Sequence, residues 1–369
     1  MALTLHGTVA DNTAVLSRPN AKPLVINGDM AVAQRVTTTG ITGSTSGYFS
    51  VDRMKVDLND NGTWTQTQDT DVPTGQGFAK SWKLDCTTAD TSVASATYNV
   101  ARYLFEGQDL QLLKKGTSNA EEVTVSFWIK ATVTGTYIAE LFDTDNSRQI
   151  SQAYTVSSSN TWEKKVLSFA KDTSGVLGND TGNSLSINLW LGAGSNFSSG
   201  TLSTTWTGST QVNRVVGQVN SASSTSNNVY FTGLQMEVGG FDANSLAPFQ
   251  HESFGNSLAR CQRYFQRIWE KNSCYFAMGF MYSSSIGIGI SDLPVTMRTS
   301  PTLTFATVSN GYTFYRAGAA DAVNSFALNS AAPTRASITN TSEMSGTAGQ
   351  AGGWYATGAS GFVNLVAEL

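Results

Sequence analysis

Apolar and polar residues alternate along much of this chain with a period of two. In Val123-Thr-Val-Ser-Phe-Trp-Ile129, the residues Val123, Val125, Phe127 and Ile129 share one phase. Leu185-Ser-Ile-Asn-Leu-Trp-Leu191 repeats the pattern with Leu185, Ile187, Leu189 and Leu191. Successive side chains of a strand point to opposite faces, so this period predicts strands with one face in a core. The segments 137–142, 162–169 and 229–238 read the same way. Stretches rich in Ser, Thr, Asn and Gly at 171–184, 194–210 and 220–228 separate them and supply turns. No segment before residue 250 carries a helical period. Many short strands with polar turns predict a sandwich or jelly roll.

The period changes near 255–270. Leu258, Cys261, Phe265 and Ile268 recur at i, i+3, i+7 and i+10, the spacing of an amphipathic helix, and Asn256 or Ser257 suits its N-cap. Strands return at 275–281, 285–290, 302–308, 312–317 and 361–369, whereas 341–353, rich in Gly, Ser and Thr, reads as an exposed loop. The whole pattern predicts an all-β chain. Two β-sandwich or jelly-roll domains are joined by a short α-helix and preceded by an extended N-terminal arm. The expected divisions are an attachment arm at 1–24, a jelly roll at 25–250, a linker with its helix at 251–272 and a C-terminal sandwich at 273–369. The arm holds turn formers such as Arg18-Pro19-Asn20 between short apolar patches, so it needs another surface on which to order.

Composition narrows the function. The 369 residues suit two domains, and 40% hydrophobic content is enough for two cores. Charged residues make up only 14%, against the roughly one quarter usual for globular chains. The net charge is −4 with no basic run, which excludes phosphate-neutralising nucleic-acid binding. The apolar stretch 275–282 falls far short of the ~20 residues that span a bilayer, so no membrane insertion is expected. Residues 1–10 show neither a basic start nor an apolar stretch, so no signal peptide is expected. Neutral, polar surfaces without an export signal are reconciled if the protein leaves the cell by lysis, as part of a particle. Cys86, Cys261 and Cys274 fit neither a zinc site nor a disulfide framework and read as free, buried thiols. A low-charge surface, many Trp and Tyr residues and a dependent arm together favour assembly into an oligomer.

Several segments carry a resemblance. They are Pro23-Leu-Val-Ile-Asn-Gly-Asp-Met-Ala-Val-Ala-Gln-Arg35 with Tyr48 to Arg53, then Val123 to Lys130. Phe231-Thr-Gly-Leu-Gln-Met-Glu-Val-Gly239, Ala247 to Phe254 and Cys261-Gln-Arg-Tyr-Phe265 complete the series. Together, over about residues 23–265, they resemble a module of tail-fibre and other virion proteins of marine and cyanobacterial phages. The jelly-roll part also resembles the carbohydrate-binding modules of glycoside hydrolases. The resemblance implies a virion location, a homotrimer and an arm that meets other virion proteins. It does not imply catalysis. Carbohydrate-binding jelly rolls often hold a structural calcium ion, and Asn27, Asp29 and Glu237 offer suitable oxygens on the expected first and last strands. Ordinary turn and edge roles are the simpler explanation of the same three residues.

The candidate site is aromatic. With Phe127 and Ile129 inward, Trp128 and Lys130 take the other phase; with Ile187 and Leu189 inward, so do Asn188 and Trp190. Tryptophan faces stack on sugar C–H groups while Asn and Lys bond hydroxyls, so the four could form a glycan platform. Burial of the same indoles against another subunit is the competing reading. His6 and His251 stand in no metal or nucleophile motif. The carboxylate pairs Asp57 and Asp60, Asp69 and Asp71, and Asp143 and Asp145 lie in turn-like contexts. The expectation is therefore a non-enzymatic phage tail-fibre or appendage subunit that attaches to a host surface glycan or receptor. A capsid decoration protein or head fibre is the alternative, and a tailspike-like glycan depolymerase the second.

Overall fold

The computed structural model describes residues 22–36, 38–270, 274–356 and 361–369. The expected arm thus lies, up to residue 21, outside the described residues. The chain divides into two compact units, the first ending at Phe254 and the second spanning Gly255–Glu368. Each is an antiparallel all-β structure, as the alternation predicted.

The first unit begins with β1 (Thr38–Ile41), β2 (Ser44–Tyr48), β3 (Lys55–Asn59), β4 (Thr63–Asp69), β5 (Ser81–Thr88) and β6 (Tyr98–Glu106). There follow β7 (Val123–Ala131), β8 (Gly135–Asp143), β9 (Arg148–Val156), β10 (Glu163–Phe169) and β11 (Asn183–Ala193). A short helix α1 (Ser195–Ser198), β12 (Thr207–Gly208) and β13 (Asn228–Val238) complete it. One sheet has the order β1-β4-β5-β13-β7-β10 and the other β12-β9-β8-β11-β6-β3-β2. Their inner faces meet in one core. Val125, Phe127 and Ile129 of β7 and Ile187, Leu189 and Leu191 of β11 all lie in it, in the phase that the sequence set.

Strand β13 changes phase midway. Val229 and Phe231 point inward before a bulge between Thr232 and Gln235, and Leu234 and Met236 do so after it. Gly233 takes φ +63° there, a conformation that costs a side-chain-bearing residue and not glycine. The segment around Asn27 docks on this bulge. Leu234 N–H donates to Gly28 O at 2.9 Å, and a Cβ on Gly28 would fall 2.1 Å from Leu234 O. The Asn-Gly-Asp and Thr-Gly-Leu triplets are therefore two halves of one close backbone contact.

The second unit opens with α2 (Phe254–Gln262) and β14 (Phe265–Glu270). Next come β15 (Cys274–Met281), β16 (Gly287–Asp292), β17 (Thr302–Phe305), β18 (Tyr312–Arg316) and β19 (Ala319–Val323). Strands β20 (Ala327–Ala332), β21 (Arg335–Asn340), β22 (Ala351–Ala356) and β23 (Phe362–Val366) end it. A three-stranded sheet β14-β23-β17 accompanies a seven-stranded sheet β19-β18-β22-β15-β16-β21-β20. Trp269, Tyr312, Phe314, Phe326 and Trp354 fill its core.

Three expectations are corrected here. The helix does not reach Phe265 and Ile268: it ends at Gln262, and both residues lie on β14, paired with β23. Aromatic and β-branched residues there favour a pleated surface over a helix, and the β23 backbone offers the hydrogen bonds. The expected exposed loop 341–353 gives way at Ala351 to β22, whose Trp354 is fully buried. Cys274 is exposed, whereas Cys86 and Cys261 are buried as expected.

Candidate functional site

A row of polar and aromatic groups crosses the outer face of the β1-to-β10 sheet. Tyr230 of β13 stands opposite Lys83 of β5 on one side and Lys130 of β7 on the other. Both ammonium groups lie over its ring, at 5.6 and 5.2 Å from the centroid. Trp162, just ahead of edge strand β10, meets the Tyr230 ring edge-on at 6.1 Å. Asp71, from the β4–β5 connection, closes the row. It accepts from Trp162 Nε1 at 2.9 Å and from Lys130 Nζ at 2.5 Å. Burial raises the Asp71 carboxyl, but Lys130 and the Trp162 indole outweigh it and hold the group below its ordinary value. Burial also raises the Tyr230 hydroxyl, with Asp69 adding to it, so the ring stays a neutral phenol. The row thus presents two part-exposed aromatic rings, cations and an ionised carboxylate to solvent. That set can stack on an apolar ring face and both donate to and accept from hydroxyls.

Two of the four aromatic-site candidates sit on this face and two do not. Lys130 is in the row. Trp128 is half-buried beside it: a Cβ on Gly233 would lie 3.1 Å from Trp128 Cδ1 and 2.7 Å from Phe78. Asn188 and Trp190 lie on the opposite sheet and are buried, which corrects their assignment to a surface platform. The segment from α1 to Val219 folds over them. Phe197 and Val215 pack on Trp190, and Asn188 Nδ2 and Trp190 Nε1 donate to Glu140 Oε2 at 2.8 and 3.1 Å. Arg214 forks onto the same carboxylate at 2.7 and 2.8 Å. Trp190 is therefore covered by its own chain. Neither a glycan nor another subunit reaches it.

Of the calcium candidates, Glu237 lies on β13 as expected, and Asn27 and Asp29 do not lie on a strand. Asn27 to Met30 form a turn, with φ +60° at both ends. The Asn27 carboxamide donates to Val32 O and Asp52 O at 2.9 and 2.8 Å and accepts from Val32 N–H at 2.8 Å. It is committed to the backbone on both sides, which corrects its reading as a metal ligand. Burial raises the Asp29 carboxyl, and Glu237 accepts from Gln235 at 3.0 Å. Among the described residues, no three His, Cys, Asp or Glu side chains gather in a way that could hold a metal. The other acids have structural duties. Asp57 pairs with Arg102 at 2.5 Å, Asp143 with buried Lys115, and Asp145 accepts from Gly178 N–H at 2.7 Å. The His251 ring packs between Phe78 and Phe249, at 5.2 and 4.8 Å. His6 lies outside the described residues.

Sequence reasoning missed Trp162, Tyr230, Lys83 and Asp71 as one group. The phase of β7 already gave Lys130, and the same phase logic across β13 and β5 gives Tyr230 and Lys83. The pairing of those strands was the missing link.

No family model matches the sequence, and no curated protein does either. The solved structures similar to the chain include carbohydrate-binding modules and a phage tailspike domain. The enzymatically active domain of bacteriophage CBA120 tailspike protein 4 shares 14% identity over 58% of this chain and 21% of that one, with a TM-score of 0.29. The family 61 carbohydrate-binding module TmCBM61, solved with β-1,4-galactotriose, shares 9% over 59% of this chain and 99% of its own, with a TM-score of 0.28. The CBM22-1 xylan-binding domain of Paenibacillus barcinonensis Xyn10C shares 11% over 60% and 97%, with a TM-score of 0.27.

Proposed function

We propose that this chain is a non-catalytic attachment subunit of a phage particle that holds a host-surface glycan on the outer face of its first sandwich. The observation that carries the reading is the Lys83–Tyr230–Lys130–Trp162–Asp71 row. It joins aromatic rings to donors and an acceptor, three of them on strands and Trp162 and Asp71 on the adjoining loops, the combination that a saccharide needs. The low charge of the chain and the resemblance of its ordered segments to phage appendage modules support the particle location. On this reading the protein works as a homotrimer, anchored to other virion proteins through its N-terminal arm. Weak single-site contacts are then multiplied by the number of copies.

The test is a glycan array probed with the purified full chain, followed by calorimetry on the best binder. Trp162→Ala and Tyr230→Ala are each expected to weaken binding about tenfold, with unfolding midpoints unchanged. Binding that survives both substitutions undiminished would remove this face as the site. Release of reducing ends from the bound polysaccharide would replace the attachment reading with the depolymerase one.

A further inference from the structure

The second unit carries an aromatic group of its own, on the outer face of its seven-stranded sheet. Tyr275 of β15, Tyr315 of β18 and Tyr355 of β22 stand on three adjoining strands in the outward phase. Their ring centroids are 5.2 to 6.2 Å apart, all edge-to-face. Tyr275 is 52% and Tyr315 39% exposed, well above what a core tyrosine shows. Beside them opens a groove of about 380 Å³, lined by Tyr275, Met278, Tyr315, Arg316, Gly352 and Gly353 among others. That volume lies within the roughly 300–1,000 Å³ of small-ligand sites.

Two features say what the groove can take. The first is its floor. Gly353 is buried under Met278 and Tyr275: a Cβ there would sit 3.0 Å from both Met278 Sδ and Tyr275 Cδ1, so any larger side chain would push these two walls out of place. The second is its charge. Among the described residues, Arg316 is the one charged residue of the lining, and its guanidinium is bound by Asp321, which also accepts from Ser345 N–H at 2.9 Å. Among those residues, nothing in the lining offers an unpaired charge to an ionic ligand. The walls instead offer phenol rings that end in hydroxyls.

We infer that this groove is a second saccharide site, for a neutral glycan chain, independent of the row on the first sandwich. The sugar's C–H face stacks on the tyrosine rings and its hydroxyls bond the phenol oxygens. The inference rests on the glycan-attachment reading and extends it to a site on a separate unit. A protein surface is the weaker occupant, because such partners bury about 800 Å² per side and meet broad patches rather than a groove of about 380 Å³.

The experiment uses the full chain with Trp162 and Tyr230 both replaced by Ala, so that the first face is silent. Neutral hexasaccharides of glucose, galactose, xylose and mannose serve as probes, read by calorimetry. Residual binding of at least one probe is expected. Adding Tyr315→Ala should weaken it about five- to tenfold, and adding Gly353→Leu should abolish it. Tyr315→Ala removes an exposed ring and leaves the core intact, so it stays informative even if Gly353→Leu fails to fold. If the unaltered chain binds a probe and the double variant binds none, the second site is overturned while the attachment reading stands. If the unaltered chain binds none of the probes, the second site is overturned, and the attachment reading is decided by the glycan array alone. If Tyr315→Ala leaves probe binding unchanged but lowers the mass of the assembled protein, the face is a subunit contact and the inference is overturned.

Discussion

At the scale of single residues, phase was legible and cover was not. Period-two alternation assigned Trp128 and Trp190 correctly to outward faces, because phase depends only on neighbours in sequence. What lies above an outward residue is decided elsewhere in the chain. Trp190 is capped by Phe197 and Val215, and the Glu140 carboxylate that holds its indole comes from β8. No local signal near residue 190 announces them. The buried carboxylate also fixes the energetics. Glu140 is 0% exposed and is neutralised by Arg214. Arg214→Leu leaves that charge uncompensated, and breaking such a pair typically costs about 3–5 kcal/mol. The expected result is a fall of that size in unfolding free energy, measured by urea titration. A fall under about 1 kcal/mol would show that the cover opens and lets water solvate Glu140.

At the scale of elements, the strands of the first sandwich could be read from their alternation, and the turn chemistry could not. Asn27-Gly28 was expected on a strand and forms a tight turn instead, because Gly28 must let the β13 bulge approach. In the second unit, β19 to β21 are built from Ala, Ser, Thr and Asn with few large apolar residues, so their alternation was too faint to see. The loops at one end of the first sandwich are tied by charge. Lys115 reaches Asp143 and Asp172, Asp172 takes a forked bond from Arg148 at 2.7 and 2.9 Å, and Lys115 lies 4.5 Å from the Trp206 ring centroid. Burial raises the Asp172 carboxyl, but bonds from Arg148, Lys115 and Ser174 N–H outweigh it, so its folded value lies below the ordinary 3.8. The sign follows. A lowered folded value gives stability that is fully present above 3.8 and is lost as pH falls through the folded value, because the unfolded chain takes the proton first. Asp172→Asn should lower stability at neutral pH and flatten the acid limb of a thermal-melt series below about pH 4. An unchanged acid limb would mean that another carboxylate dominates it.

At the scale of the whole molecule, the all-β class and the presence of two sandwiches followed from alternation and turn composition alone. The site was legible only in part. Lys130 and Trp128 came from local phase, whereas Trp162, Tyr230 and Asp71 join them through pairing between distant segments. Assembly belongs to this scale too. Light scattering on the full chain is expected to give about three times the 39.3 kDa of one chain. A stable monomer would remove the trimer and shift the reading toward a decoration protein that assembles only on the capsid.

Two of the charge clusters of the first sandwich, the Lys130–Asp71 pair and the Arg214–Glu140 clamp, differ in their access to water, and the difference matters once the medium changes. Dissolved ions screen exposed charges over about 8 Å at physiological strength and over less in brine. Asp71 and Lys130 stand in solvent, with side chains 39% and 18% exposed, so brine loosens their mutual grip. Glu140 is sealed, so the clamp under the α1-to-Val219 segment is shielded from the same ions. The Glu140 clamp therefore holds across salinities, while the Lys130–Asp71 pair on the outer face slackens as salt rises, so that the surface of the sandwich answers to the surrounding water and its fold does not.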